Sequence, residues 1–365
     1  MSPADDAVAI LGGGAGARAA AAELALAGWD VRLWDLPDFL EEVADLLGDH
    51  HLEVDGQIEG RADLRLVTGD IQEACAGASL VLIVSQAAGH RPIAEELAQV
   101  LTYDQTVVVM PGSTGGALEV ASVIDAERGL APVVAETATL PFAARGYGQR
   151  GVTIRHYVKL VKLAALPPAE APRIVRRLRP IFPGLQAAEN VLETSLSNGN
   201  PVIHPAVTLL NAAWIERVEG GWEFYHEGVT PAVARLIEAA DEERLALGEA
   251  MGLELIPEPE MSVHQGYSRV ADYLIAYRDG PGFQDLGGPE SLEHRYITED
   301  VAYAMMTWLE LAEVFGVPMP VMQSMVQISS VLLGCDYRTE AARGLAELGL
   351  EGMSADEILA RCCGG

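Results

Sequence analysis

The sequence predicts an α/β protein: a Rossmann-type dinucleotide-binding domain followed by a mainly α-helical second domain. Three observations predict it. Short β-rich runs alternate with helical stretches through the first third of the 365-residue chain, the pattern of a parallel sheet with crossover helices. A glycine-rich loop joins the first strand to the first helix, and an acid closes the second strand. Past about residue 188 the strand signal fades, and the remaining chain reads mostly as helices interrupted by loops. The expected division is 1–188 for the NAD(P)-binding domain and 189–365 for a helical substrate-binding and catalytic domain. A chain of this length has room for two cores.

Taken in order, strands are predicted at Val8–Leu11, Val31–Asp35, Leu64–Thr68, Leu80–Val84, Thr106–Met110 and Pro132–Glu136. Helices fall between several of them, notably Ala15–Ala27 and Pro92–Leu101. A further β-rich pair, Val152–Ile154 and Tyr157–Leu163, leads to a basic helix around Arg173–Arg179.

The first strand runs into Gly12-Gly13-Gly14-Ala15-Gly16-Ala17, a G-x-G-x-x-A loop in its strand–turn–helix setting. Gly12 permits the tight turn, Gly14 lets backbone approach a pyrophosphate, and small Ala17 lets the helix lie close to the sheet. The helix N-terminus, opening at Ala15, offers N–H groups and partial positive charge to phosphates. Asp35 stands about 20 residues further on, where a carboxylate binds ribose hydroxyls and repels a 2′-phosphate. NAD is therefore favoured over NADP; Arg32, three residues earlier, is expected to face elsewhere. Two later loops, "SQAAGHRP" (85–92) and "MPGSTGG" (110–116), come after predicted strands and line the rim of such a site, with Ser85 a candidate cofactor contact.

"SNGNPVIHP" (197–205) reads as a helix entry, with Asn198 or Asn200 as cap, Pro201 in the first turn and His204 near the mouth. Val207, Leu209, Leu210 and Trp214 are compatible with a buried helix beyond it. Hydride chemistry needs a group to manage the accompanying proton, and histidine is the usual choice near neutral pH. Of eight histidines, His50, His51, His226, His264 and His294 sit in polar or loop-like surroundings and read as solvated. His204 is the candidate, held by its prolines. In "EHRYITEDVAYAMMTWLELAEVFGVPMP" (293–320), Thr298 reads as a helix cap with Glu299 and Asp300 in the first turn, a source for the carboxylate that orients a catalytic histidine. Arg295 is a bidentate donor suited to a substrate carboxylate.

Composition excludes several classes. A net charge of −29 argues against nucleic acid and anionic membrane as partners. No apolar run approaches the roughly 20 residues that span a bilayer, and the acidic MSPADD start is wrong for a signal peptide. Cys75, Cys335, Cys362 and Cys363 show neither metal-ligand spacing nor a disulfide framework, so no metal is expected and the thiols suit a reducing cytoplasm. Met305–Leu333 carries more Met, Leu, Val and Trp than one helical face needs, which predicts a homodimer through the second domain.

Together these segments resemble the octopine/nopaline (opine) dehydrogenases, including bacterial N-(1-carboxyethyl) amino acid dehydrogenases. The likeness covers nearly the whole chain: "LGGGAGARAAAAELALAG", "EGRADLRLVTGDIQEA", "AGHRPIAEELAQVL", "PGSTGGALE", "ETATLPFAAR", "NGNPVIHPAVTLLNA", "WEFYHEGVTPAVARLIEAADEER" and "RYITEDV" through "GVPMP". The resemblance implies condensation of an α-keto acid with the amino group of an amino acid or amine, and reduction of the imine by NAD(P)H. By the same resemblance His204 is the catalytic histidine and Asp300 its carboxylate partner. Arg295 holds a substrate carboxylate, Asn198 is an active-site asparagine, and Thr139 falls in a pocket-lining segment. "SQAAGH" and the alanine ending "LPFAA" depart from the family pattern and bear on the substrate. A keto acid or hydroxyacid reductase of ketopantoate reductase type is the alternative, acting on C=O without an amine. Such reductases commonly use a catalytic lysine, and Lys159 and Lys162 are the only lysines here. A non-catalytic dinucleotide sensor would keep the glycine loop and need no His–Asp pair.

Overall fold

The computed structural model describes residues 7–364; MSPADD lies outside them. The chain divides into two compact units, one running to Thr194 and taking in Cys362–Gly364, the other Ser195–Arg361.

Among the described residues the first unit holds twelve strands: β1 (Ala7–Leu11), β2 (Asp30–Trp34), β3 (His51–Gly56), β4 (Gly60–Asp63), β5 (Leu66–Thr68), β6 (Leu80–Ile83), β7 (Thr106–Val109), β8 (Val133–Thr137), β9 (Phe142–Tyr147), β10 (Gly151–Tyr157), β11 (Val161–Leu166) and β12 (Leu185–Ala187). Eight form one sheet in the order β12-β11-β8-β7-β6-β1-β2-β5. Its strands pair in parallel except β11 against β8. The β6 and β7 side chains are all buried, as a parallel sheet covered on both faces requires. The alanine-rich helix Ala15–Leu26 is buried through Ala17, Ala19, Ala20, Ala21 and Ala22, whose small side chains let neighbouring strands approach it closely. This is the predicted Rossmann-type core.

A second sheet, β4-β3-β10-β9, packs on the same helix and is absent from the sequence expectation. Its strands β3 (HLEVDG) and β4 (GRAD) are short, polar and mostly one-sided in burial, so their apolar signal is weak. The expected strand Tyr157–Leu163 is corrected: Tyr157 ends β10 in this small sheet, and Val161 opens β11 in the large one.

The second unit is helical. The long helix Pro231–Ala250 packs against Asn200–Leu210, Met306–Phe315 and Pro320–Leu333. The expectation of one buried helix through Trp214 is corrected as well. Asn211 donates from Nδ2 to the carbonyls of Val207 and Gly228 and turns the chain, so Ala212–Val218 is a separate helix. Leu210 and Trp214 are consequently 53% and 46% exposed. Among the described residues no helix is long and apolar enough to cross a membrane.

Candidate active site

In the first unit the glycine loop sits between β1 and its helix. Gly12 has φ +124°, and a Cβ there would collide with the Val84 carbonyl, so only glycine fits. Gly14 caps the helix that begins at Ala15; no side chain caps that terminus, and space is open around the Gly14 Cα. Asp35 directly follows β2, is buried, and accepts the Leu36 N–H at 2.9 Å. A side chain on Gly13 would strike its carboxylate, which puts Asp35 against the loop. Arg32 points elsewhere, toward Asp30 at 3.5 Å and the Glu73 and Ala76 carbonyls. A bare helix terminus beside open space, with a carboxylate at the next strand end, fits a dinucleotide's pyrophosphate and ribose. Ser85 lies just past β6 and donates to the Gln86 carbonyl at 3.0 Å; Thr139 lies just past β8 and is half-buried.

In the second unit, Gly199 rather than either asparagine is the cap of helix Asn200–Leu210. Asn198 nonetheless serves the entry, its Oδ1 accepting the Asn200 N–H at 3.2 Å. A Cβ on Gly199 would overlap the buried Glu258 carboxyl, which would have to move to admit it. His204 lies in the first half of this helix, which continues through Pro205.

His204 Nδ1 lies 2.8 Å from Asp300 Oδ2, and both side chains are buried. A carboxylate only accepts, so Nδ1 carries the proton and Nε2 presents its lone pair. Nε2 is 2.9 Å from the Tyr225 hydroxyl, and the Tyr296 ring lies over the imidazole with centroids 4.0 Å apart. Burial, aided by the Arg295 charge, drives the His204 pKa well below its usual value, so the ring rests neutral. Burial also raises Asp300, to about 7, against the pull of Arg295.

The predicted cap at Thr298 is corrected. His294 caps the short helix Arg295–Thr298, its Nδ1 accepting the Tyr296 N–H at 3.4 Å. Asp300 then opens a π-helical stretch, Asp300–Met305, before Met306–Phe315 resumes α geometry. Such widened turns are frequent at functional sites because they redirect a side chain without ending the helix. Arg295 has a 42% exposed side chain, pairs with Glu299 at 3.6 Å and lays its guanidinium 5.2 Å from the Tyr296 ring. Two histidines read as solvated are not: His51 is buried at the start of β3, and His294, edge-on to Tyr296, is pushed down to about 4 by burial. Sequence reasoning also passed over Tyr225 and Tyr296. Tyr225 lies inside "WEFYHEG", where the aromatic spacing is the available signal; Tyr296 directly follows Arg295.

Residues 187–333 match the family described as NAD/NADP octopine/nopaline dehydrogenase, alpha-helical domain. An opine dehydrogenase of Arthrobacter sp. (strain 1C) is 35% identical over 353 residues, 96% of this chain and 97% of that protein. The chain belongs to the opine dehydrogenase family. Opine dehydrogenases are NAD(P)-dependent oxidoreductases acting on CH–NH bonds, and the reaction of this chain is the reductive condensation of an α-keto acid with an amino group. The fold agrees: a solved octopine dehydrogenase in complex with NADH and agmatine superposes with a TM-score of 0.81 at 20% identity, covering 99% of this chain and 98% of that one. A ketopantoate reductase from Ralstonia eutropha JMP134 gives 0.59 at 16% identity over 89% of this chain. It is the more distant of the two.

Proposed function

We propose that this opine dehydrogenase uses His204 as its acid–base group, with Asp300 orienting it, Arg295 holding a substrate carboxylate and Asn198 positioning substrate at the helix entry. The buried His204–Asp300 contact at 2.8 Å, with Arg295 on the same segment as Asp300, carries this reading. Thr139 is assigned to substrate binding by the family resemblance. Gly12, Gly14, Ala15, Ala17, Ser85 and Asp35 would hold NADH, which when bound would supply the hydride for imine reduction.

His204 does the proton work. Neutral at Nε2, it accepts the proton that the substrate ammonium must lose before nitrogen can attack the keto carbon. The same proton returns to the carbinolamine hydroxyl as the C–O bond breaks and water departs, leaving the iminium for reduction. His204 is thus restored once per turnover. Asp300 keeps Nδ1 protonated and stabilises the imidazolium that forms in between. Arg295 supplies a planar fork matched to a carboxylate, which fixes the keto acid or amino acid in orientation.

The amine partner is read as an amino acid or simple amine, the enzyme as cytoplasmic, and the assembly as a homodimer. The dimer reading rests on the second unit's exposed apolar residues Leu210, Trp214, Ile328, Val331 and Leu332. The free cysteines suit a reducing compartment.

The test measures NADH loss with pyruvate or glyoxylate, with and without a panel of amino acids and amines. Consumption that needs both partners is expected; equal rates with keto acid alone would favour a C=O reductase. His204→Ala should lower kcat by about 10² or more while NADH affinity stays within a few-fold. Near-normal turnover in that variant would end the acid–base assignment.

A further inference from the structure

Both nitrogens of His204 are already engaged. Nδ1 is committed to Asp300 at 2.8 Å, and Nε2, the lone pair that must trade protons with substrate, meets the Tyr225 hydroxyl at 2.9 Å. One ring face is covered by Tyr296. A substrate atom can reach Nε2 directly only if Tyr225 swings away. The packing of Tyr225 opposes that: Phe283 lies 4.6 Å from its ring, Phe224 stands edge-on at 5.0 Å, and Tyr277 is stacked at 6.5 Å. Phe224, Phe283 and Tyr277 are themselves buried.

We propose that Tyr225 is a second catalytic residue, a fixed proton relay through which His204 exchanges protons with the substrate. The phenol O–H donates to Nε2, which leaves the oxygen's lone pairs to accept from a substrate N–H. In the forward step the ammonium proton moves onto the Tyr225 oxygen while the phenol proton moves to Nε2. The phenol is neutral before and after, and one positive charge passes from substrate to imidazole. Loss of water runs the same path backward: the hydroxyl oxygen takes the phenol proton as Nε2 returns its own. No free phenolate forms, which agrees with the burial that raises the Tyr225 pKa well above its usual value.

This proposal rests on His204 being the acid–base group, so the experiment separates the two. Tyr225→Phe keeps the ring and its packing and removes only the hydroxyl. Its kcat should fall by about 10², with NADH binding and thermal midpoint close to wild type. The Tyr225→Phe/His204→Ala double variant should be no slower than His204→Ala alone, because two members of one relay do not lose independently. In mixtures of H₂O and D₂O the wild-type kcat should curve downward as two protons move together. A fall below roughly tenfold, losses that multiply in the double variant, or a linear wild-type isotope response would overturn the relay. If His204→Ala itself turns over normally, the acid–base assignment fails instead, whatever Tyr225→Phe does. Should Tyr225→Phe fail to fold, the wild-type isotope curve decides alone.

Discussion

The imidazole of His204 and the carboxylate of Asp300 meet at 2.8 Å although they come from helices almost a hundred residues apart, and both are buried. Burial opposes charge on each partner, lowering the histidine and raising the aspartic acid to about 7. The two share their protons, so the pair titrates as a unit. The proton-accepting form is the deprotonated pair, present at high pH, and kcat/KM for condensation should fall as pH drops through about 7. Asp300→Asn removes the anion that stabilises imidazolium, so His204 becomes a weaker base. The acid limb should move to lower pH and kcat should fall. Lower stability with unchanged kinetics would reduce Asp300 to a structural group.

Arg295 is the exposed charge beside this pair, braced by Glu299 at 3.6 Å and by the Tyr296 ring. Arg295→Lys keeps the charge and loses the fork. The KM of one carboxylate substrate should rise about tenfold or more, with NADH binding unchanged. Steady-state constants equal to wild type would return Arg295 to the surface.

Much of this arrangement was legible in the sequence because it is local. Gly12, Gly14 and Asp35 belong to one short βα-β run whose spacing is fixed by the turn and helix, and His204 is flanked by prolines that announce a helix entry. What escaped detection was set by distant packing. Asp241 and Arg244 stand three apart on a helix, a spacing common to solvated surface pairs, yet both are buried. Tyr225 carries no motif, and only its approach to Nε2 of His204 distinguishes it. The small sheet was missed because β3 and β4 are short and bury one face only, so each offers too few apolar residues to announce a strand.

Asp35 bears on cofactor choice. A nearly buried carboxylate against the glycine loop would sit beside the 2′-phosphate of NADPH, a costly pairing. KM for NADH should be the lower of the two, and Asp35→Ser should narrow the gap chiefly by weakening NADH. Equal or better use of NADPH by the unaltered enzyme would show that Asp35 does not read the ribose.

The expected dimer surface is narrower than Met305–Leu333. Met305, Met306 and Trp308 are buried inside the second unit, and exposure concentrates at Ile328, Val331 and Leu332, with Val331 at 70%. Beside them runs an apolar groove of about 400 Å³, lined by Leu210, Leu236, Val321, Met325 and Ile328. Light scattering should give twice the 38.8 kDa chain mass, and Val331→Glu should return it to 38.8 kDa. A wild-type enzyme at 38.8 kDa across micromolar concentrations would sink the dimer.

The last prediction concerns what holds the entry to the His204 helix. Arg244 is buried with Asp241, Nε to Oδ1 at 2.7 Å, and its other nitrogens donate to the carbonyls of Leu196 at 2.7 Å and Ile256 at 2.8 Å. Asp241 Oδ2 in turn accepts the Glu258 N–H and the Tyr273 hydroxyl, each at 2.8 Å. Leu196 stands just before Asn198, so this one ion pair ties the chain ahead of the His204 helix to two other segments. Arg244→Met leaves Asp241 charged, buried and unpaired, which should cost about 3–5 kcal/mol. Asp241→Asn in the same chain should recover part of that by removing the stranded charge. Calorimetry would show the order wild type, double variant, single variant in unfolding temperature. NADH binding, assigned above to the first unit's glycine loop, should survive in all three at temperatures below unfolding. A single variant as stable as wild type would mean that water or another donor already satisfies Asp241.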